Sequence, residues 1–154
     1  MEAIERLGQR LATIDVYRML DEMFSTGKYQ KLVPDMVRER LLEQGIYSTG
    51  KQIKTYNATQ GNVYSKFTFP FKEAKGQPTD RVTLRDTGAF YRSFNLMPKQ
   101  TYAVIQYDEK KPDGLVSDNV NLDNVFNLSE GEMDELRAQV LPDLIGMIKL
   151  KLSA

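Results

Sequence analysis

Asp86-Thr87-Gly88 is the short run whose residue types and order best suit acid–base chemistry at a fixed place. A carboxylate followed by a hydroxyl and a glycine fits a tight turn. Two such turns facing each other hold two carboxyls close enough to share one proton and activate water. A homodimer would have to bring the second aspartate. Other chemistry is excluded by residues that are missing. The 154 residues include no His, no Cys and no Trp. That removes thiolate nucleophiles, imidazole bases, His/Cys metal and haem ligand sets, and any disulfide framework. Catalysis would fall to carboxylates, hydroxyls, Lys or Arg, and no cofactor is implied.

The same triplet resembles the active-site loop of aspartic proteases. Leu144-Ile145-Gly146 follows in the order of the apolar-apolar-Gly segment that supports that loop in retropepsin-like enzymes. Three features weigh against the enzyme. Arg85 stands where an apolar strand residue should lead into the loop, and its charge favours keeping both carboxylates ionised. No Gly-rich flap lies between the two segments. Leu144-Ile145-Gly146 also falls inside a run of helical periodicity. Gly27-Lys28 and Gly50-Lys51 lack the spacing of a phosphate-binding loop. Asp118, Asp123, Glu130, Glu132 and Asp134 lack the spacing of a calcium loop and suit a solvated helix start. Tyr47, Tyr56, Tyr64, Phe67, Phe69 and Phe71 interleave with lysines. Single strands of nucleic acid use such an array, but a strand with aromatics inward explains it more simply.

Net charge is zero, from 21 basic and 21 acidic residues, yet the charges are segregated. Residues 51–111 hold 11 basic and 5 acidic side chains, whereas residues 112–154 hold 3 and 8. Such a division suits head-to-tail self-association, contact with a polyanion, or neutralisation within one fold. The first 23 residues carry charges throughout, unlike a signal peptide. The longest nearly uncharged run, Val140 to Ile148, contains Pro142 and Asp143 and is too short to span a bilayer. Assembly in the cytoplasm without a membrane is the expectation.

The elements that would hold these residues follow from periodicity. Ile4, Leu7, Leu11, Ile14, Met19 and Met23 predict one amphipathic helix over Glu2–Met23. Leu32/Val33, Met36/Val37 and Leu41/Leu42 predict a second, with Pro34 in its first turn and Gly45 ending it. The two should form a hairpin. Gln52–Tyr56 and Val63–Phe71 read as strands, the second an edge because of Pro70, and Glu73–Asp80 as an extended loop. Phe90–Leu96 and Thr101–Tyr107 read as strands joined by a turn at Met97–Gln100, followed by a turn or loop over Asp108–Leu115. Ser129 and Glu132 fit a capping box. It opens a long helix with Met133, Leu136, Val140, Leu144, Ile145 and Ile148 on one face and a kink or break at Pro142. The fold class is α+β in a single domain, 1–154: an N-terminal helical hairpin, a small antiparallel sheet with an extended loop, and a long kinked C-terminal helix.

The stretch from Lys75-Gly76-Gln77-Pro78 through Thr83-Leu84-Arg85-Asp86-Thr87-Gly88 into Ala89-Phe90-Tyr91-Arg92-Ser93-Phe94 resembles small head-to-tail connector proteins of tailed bacteriophages, especially those of crAss-like and other Bacteroidetes phages. Leu128-Ser129-Glu130 to Leu141-Pro142-Asp143-Leu144-Ile145 is similar to their C-terminal helix. The likeness covers residues 75–152 and is weaker in the N-terminal helices. It implies a non-enzymatic virion protein of the neck, assembled in the bacterial cytoplasm. Such proteins form homo-oligomeric rings, commonly twelve-fold, between the portal or an adjacent connector ring and the tail proteins. Lys72, Lys75, Gly76, Gln77, Pro78, Arg81 and Arg85 would then serve an assembly interface or line the channel, with non-specific contact to packaged double-stranded DNA. Asp86, Thr87 and Gly88 would be a structural turn, Asp86 accepting bonds from backbone amides and Gly88 adopting positive φ. The alternative is a retropepsin-like homodimeric aspartic protease using Asp86-Thr87-Gly88.

Overall fold

A computed structural model describes residues 2–25, 27–99, 101–111 and 114–153. It is α+β, with helices around two separate two-stranded antiparallel ribbons. The N-terminal run is two helices, α1 (Glu2–Ala12) and α2 (Val16–Ser25), not the single helix its periodicity suggests. The Asp15 carboxylate accepts the Arg18 amide at 3.0 Å, which caps a new helix and breaks the old one. α3 (Lys28–Glu39) packs on α2 as the expected hairpin. It begins at Lys28, so Pro34 lies in its second turn, buried, rather than in the first. Arg40–Gln44 continue α3 as a π-helical turn. The Gly45 amide donates to the Arg40 carbonyl at 3.0 Å, and Gly45 ends the helix at φ 63°.

Neither Gln52–Tyr56 nor Val63–Phe71 is a strand. The first makes one isolated bridge, Ile46 to Gln52, and otherwise bonds to loops: the Thr55 amide to Val63 and the Tyr56 amide to Asn119. Ile53, Val63 and Tyr64 are nevertheless buried. The second run becomes α4 (Thr68–Ala74) because the Ser65 hydroxyl accepts the Thr68 amide at 3.1 Å. Pro70 then falls in a first helical turn, where its missing donor costs little. Glu73 and Ala74 close α4, which leaves Lys75–Asp80 as the loop.

Phe90–Leu96 divides into a one-turn helix, α5 (Ala89–Arg92), and strand β1 (Asn95–Pro98). β1 pairs with β2 (Ala103–Gln106) in the register Leu96 to Ile105, so Met97 and Pro98 belong to the strand and the turn starts two pairs later. Asp108–Leu115 holds β3 (Lys110–Lys111) and β4 (Gly114–Leu115); Pro112 and Asp113, and Gln100 in the earlier turn, lie outside the described residues.

α6 (Glu130–Ser153) opens on the expected capping box. The Ser129 amide donates to Glu132 Oε2 at 2.7 Å, and the Glu132 amide to Ser129 Oγ at 3.3 Å. The helix runs unbroken past Pro142. Its inward face is Leu136, Val140, Leu144 and Met147; Ile145, assigned to that face by spacing, is half exposed. Among the described residues no helix is long and apolar enough to cross a membrane.

Two core clusters share α3. Val37 and Leu41 pack with Ile53, Val82, Phe90 and Val125, while Val33 and Met36 pack with Met23, Leu96 and Leu136. Ile105 and Leu128 touch both clusters. The second cluster holds α6 in place, and the first supports the loops that carry the basic residues.

Candidate functional site

α4, the Lys75–Asp80 loop and the Asp86 turn enclose one side of a cleft of about 480 Å³. The loop itself is a helix stop. The Gly76 amide bonds to the Glu73 carbonyl and the Gln77 amide to the Lys72 carbonyl, both at 2.9 Å, with Gly76 at φ 62°. This reversal aims Lys72, Lys75 and Gln77 at the Asp86 turn. Lys72 Nζ donates to Gln77 Oε1 at 2.7 Å and to the Arg85 carbonyl at 2.5 Å. Gln77 Nε2 donates to the Asp86 carbonyl at 3.0 Å, and Lys75 forms an ion pair with the Asp86 carboxylate. The two motifs in the chain that looked separate are therefore one bonded unit.

The electrostatics follow from these contacts. The Lys75 hydrogen bond, reinforced by the charges of Lys75, Lys72 and Lys111, holds the Asp86 carboxyl below the usual aspartate range. Burial pushes the Lys72 ammonium down, partly opposed by Asp86. Gly88 has φ 81°, as a turn requires, and starts α5. Thr87 Oγ1 accepts the Ala89 amide at 3.3 Å, and Arg92 Nη1 donates to the Thr87 carbonyl at 3.2 Å. The expectation for Asp86 needs correcting: among the described residues its carboxylate is bonded by a lysine, not by backbone amides.

Not every expected residue gathers here. Lys72, Lys75, Arg85, Asp86, Thr87 and Gly88 line the cleft, and Gln77 braces it. Gly76 is the exposed reversal, and Pro78 is half buried behind it. Arg81 points elsewhere: its Nε donates to the Leu42 carbonyl at 2.8 Å, tying this segment to the π turn. Sequence reasoning left Lys110 and Lys111 out of the site and read Phe67 and Phe71 as inward-facing strand aromatics; all four line the cleft. Phe67 and Phe71 are four residues apart and about 70% exposed, at 70% and 69%. Their spacing marks one helical face once Ser65 is read as a cap.

As chemistry, the cleft offers a positive wall, apolar rings and one carboxylate already committed to an ion pair. A shared-proton dyad needs a carboxyl that accepts neutrality, and cations on several sides oppose that. Leu144 packs in the second core cluster, and no α6 residue lines the cleft among the described residues. No group of acidic residues among them is arranged to hold a metal ion.

The turn makes a stability prediction. Asp86 and Lys75 have side chains 63% and 52% exposed, so Asp86→Asn should change unfolding free energy by less than about 1 kcal/mol. Gly88→Val puts a β-branched residue at φ 81°, and its Cβ would meet Arg92 Nη1 at 3.1 Å. It should cost about 2 kcal/mol, read as a lower urea midpoint. Equal effects of the two variants would refute the structural-turn assignment. Comparison with protein-family models, with curated proteins and with solved structures finds no match to this chain.

Proposed function

We propose that this chain is a structural subunit of the head-to-tail connector of a tailed phage, a ring-forming neck protein between portal and tail. The observation that carries the reading is exposed apolar surface on three separate helices. Ile4 on α1 is 77% exposed, Phe67 beside α4 70%, and Leu150 on α6 71%. Leu7 and Leu11 extend the α1 surface and Phe71 the α4 surface, while Leu141 and Ile145 are exposed on a different face of α6 from Leu150. Apolar patches of this kind mark interaction sites, and their distribution over different elements suits a subunit with different neighbours on different sides. The resembling stretch supports the same reading, because its two motifs are bonded together and display Lys75 and Arg85 at a surface that Lys110 of β3 also lines. Those cations suit contact with DNA phosphates or with an acidic neighbouring ring.

Mass photometry and electron microscopy of the 17.7 kDa protein, alone and with the portal ring of its phage, test this. The expected result is a closed ring of about twelve copies, free or on the portal. A dimer that cleaves peptides and loses that activity in Asp86→Asn would overturn the proposal. So would a monomer under both conditions.

A further inference from the structure

We infer that the cationic cleft receives the outward face of α6 from a second copy of this chain. The inference rests on the assembly reading above and names the two surfaces that would meet.

α6 is the element with two apolar faces. Leu136, Val140, Leu144 and Met147 face its own core, while Leu141 and Ile145 stand 54% and 49% exposed on the other side. A helix apolar on both faces in a water-soluble fold has a second partner. Continuing the outward face toward the helix start brings Ala138 and then Asp134, at spacings of three and four residues, with Glu130 one further turn back. All of these side chains are exposed. The outward stripe therefore reads acid, acid, small, apolar, apolar along the helix.

The cleft offers the complement. Phe67 and Phe71 present two rings on the rim, and Arg85 and Lys110 are exposed cations at its mouth. Leu141 and Ile145 against the two phenylalanines would remove apolar surface from water on both partners. Glu130 and Asp134 against Arg85 and Lys110 would fix polarity and register, and would disfavour pairing of like surfaces. The two surfaces are distinct parts of one chain, so each copy offers a donor on one side and an acceptor on the other. That is a heterologous contact, which propagates until it closes. Single-stranded nucleic acid is the competing occupant, since exposed rings beside cations also stack bases. The acidic and apolar stripe on the same molecule favours the second copy.

The absence of cysteine gives a direct test. Phe71→Cys and Leu141→Cys are made separately and together, and treated with a short bis-maleimide. The double variant should give a ladder of oligomers, the two single variants mixed should stop at dimers, and each alone should give little product. Arg85→Glu with Lys110→Glu should lower cross-linking about tenfold, as should Glu130→Arg with Asp134→Arg, and mixing the two charge-reversed proteins should restore it. These four positions are exposed, so loss of fold does not explain a loss of product. If wild-type protein assembles but the cysteine pair does not cross-link, the inference fails and the connector reading stands. If neither happens, with wild-type protein monomeric alone and with the portal ring, both fail. Binding of labelled oligo-dT, abolished by the Arg85/Lys110 variant, in a chain that shows no cross-linking would assign the cleft to nucleic acid instead.

Discussion

Arg40→Ala is expected to lower the unfolding free energy by about 3–5 kcal/mol, the range for removing one partner of a buried charge pair. Arg40 is 4% exposed and lies on the same helical face as Val33, Val37 and Leu41. Its Nη2 donates to the Val125 carbonyl at 2.7 Å and to the Asn127 carbonyl at 3.0 Å. Its Nε lies 3.3 Å from Glu132 Oε1, in a carboxylate 13% exposed. Burial pushes the guanidinium pKa down, and Glu132 opposes that shift. Truncation strands the Glu132 charge and frees two carbonyls at once. Urea denaturation should show a lower midpoint at unchanged slope. Arg40→Met combined with Glu132→Leu should recover more than half of the loss, because no unpaired charge is left inside. A cost below about 1 kcal/mol for Arg40→Ala would show that the pair is not buried in solution.

Gly45→Ala should be nearly as damaging, for reasons of space and backbone. Gly45 sits at φ 63° where the π turn ends, and its carbonyl accepts the Ile53 amide at 2.9 Å. A Cβ there would lie 2.7 Å from Arg81 Cβ and 3.1 Å from both the nitrogen and the oxygen of Val82. The left-handed conformation alone costs a non-glycine residue about 1–2 kcal/mol. Forcing backbone apart adds about 1–3 kcal/mol more. Gly50→Ala is the matched control, since Gly50 has φ 79° and open space around it. Thermal melts of the two should differ clearly, with Gly50→Ala losing only the conformational part. If they melt alike, the contact with Arg81 and Val82 is looser than described.

Features set by neighbours in the chain were legible in the sequence. The Ser129–Glu132 box, the stop at Gly45 and the strand over Ala103–Gln106 each depend on residues within a few positions. α4 was not, because Phe67, Phe69 and Phe71 satisfy a period of two while Phe67 and Phe71 also satisfy helical spacing. One hydroxyl, Ser65, decides between them. The break after α1 is similar, with Asp15 able to cap only if the chain turns there. The site was half visible. Asp86 and the loop basics were found, but Lys110, Lys111 and the Phe67/Phe71 rim are brought to them by the fold. Arg40 gave one clue, a charge on an otherwise apolar helical face, and such a charge demands a partner that only tertiary structure can name.

The reach of Arg40 also bears on how the protein emerges during synthesis. Its nearest carbonyl partner, Val125, lies 85 positions further along the chain. At ribosomal speeds of about 5–20 residues per second, the guanidinium stays hydrated for roughly 4–17 s before that partner exists. The α2–α3 hairpin can form on the nascent chain, yet the cluster around Val37 and Leu41 cannot close until Val120 and Val125 have left the tunnel. During that interval the apolar side of α3 remains open to chaperones, and the arrival of the Val120–Val125 segment acts as the trigger for closing this cluster.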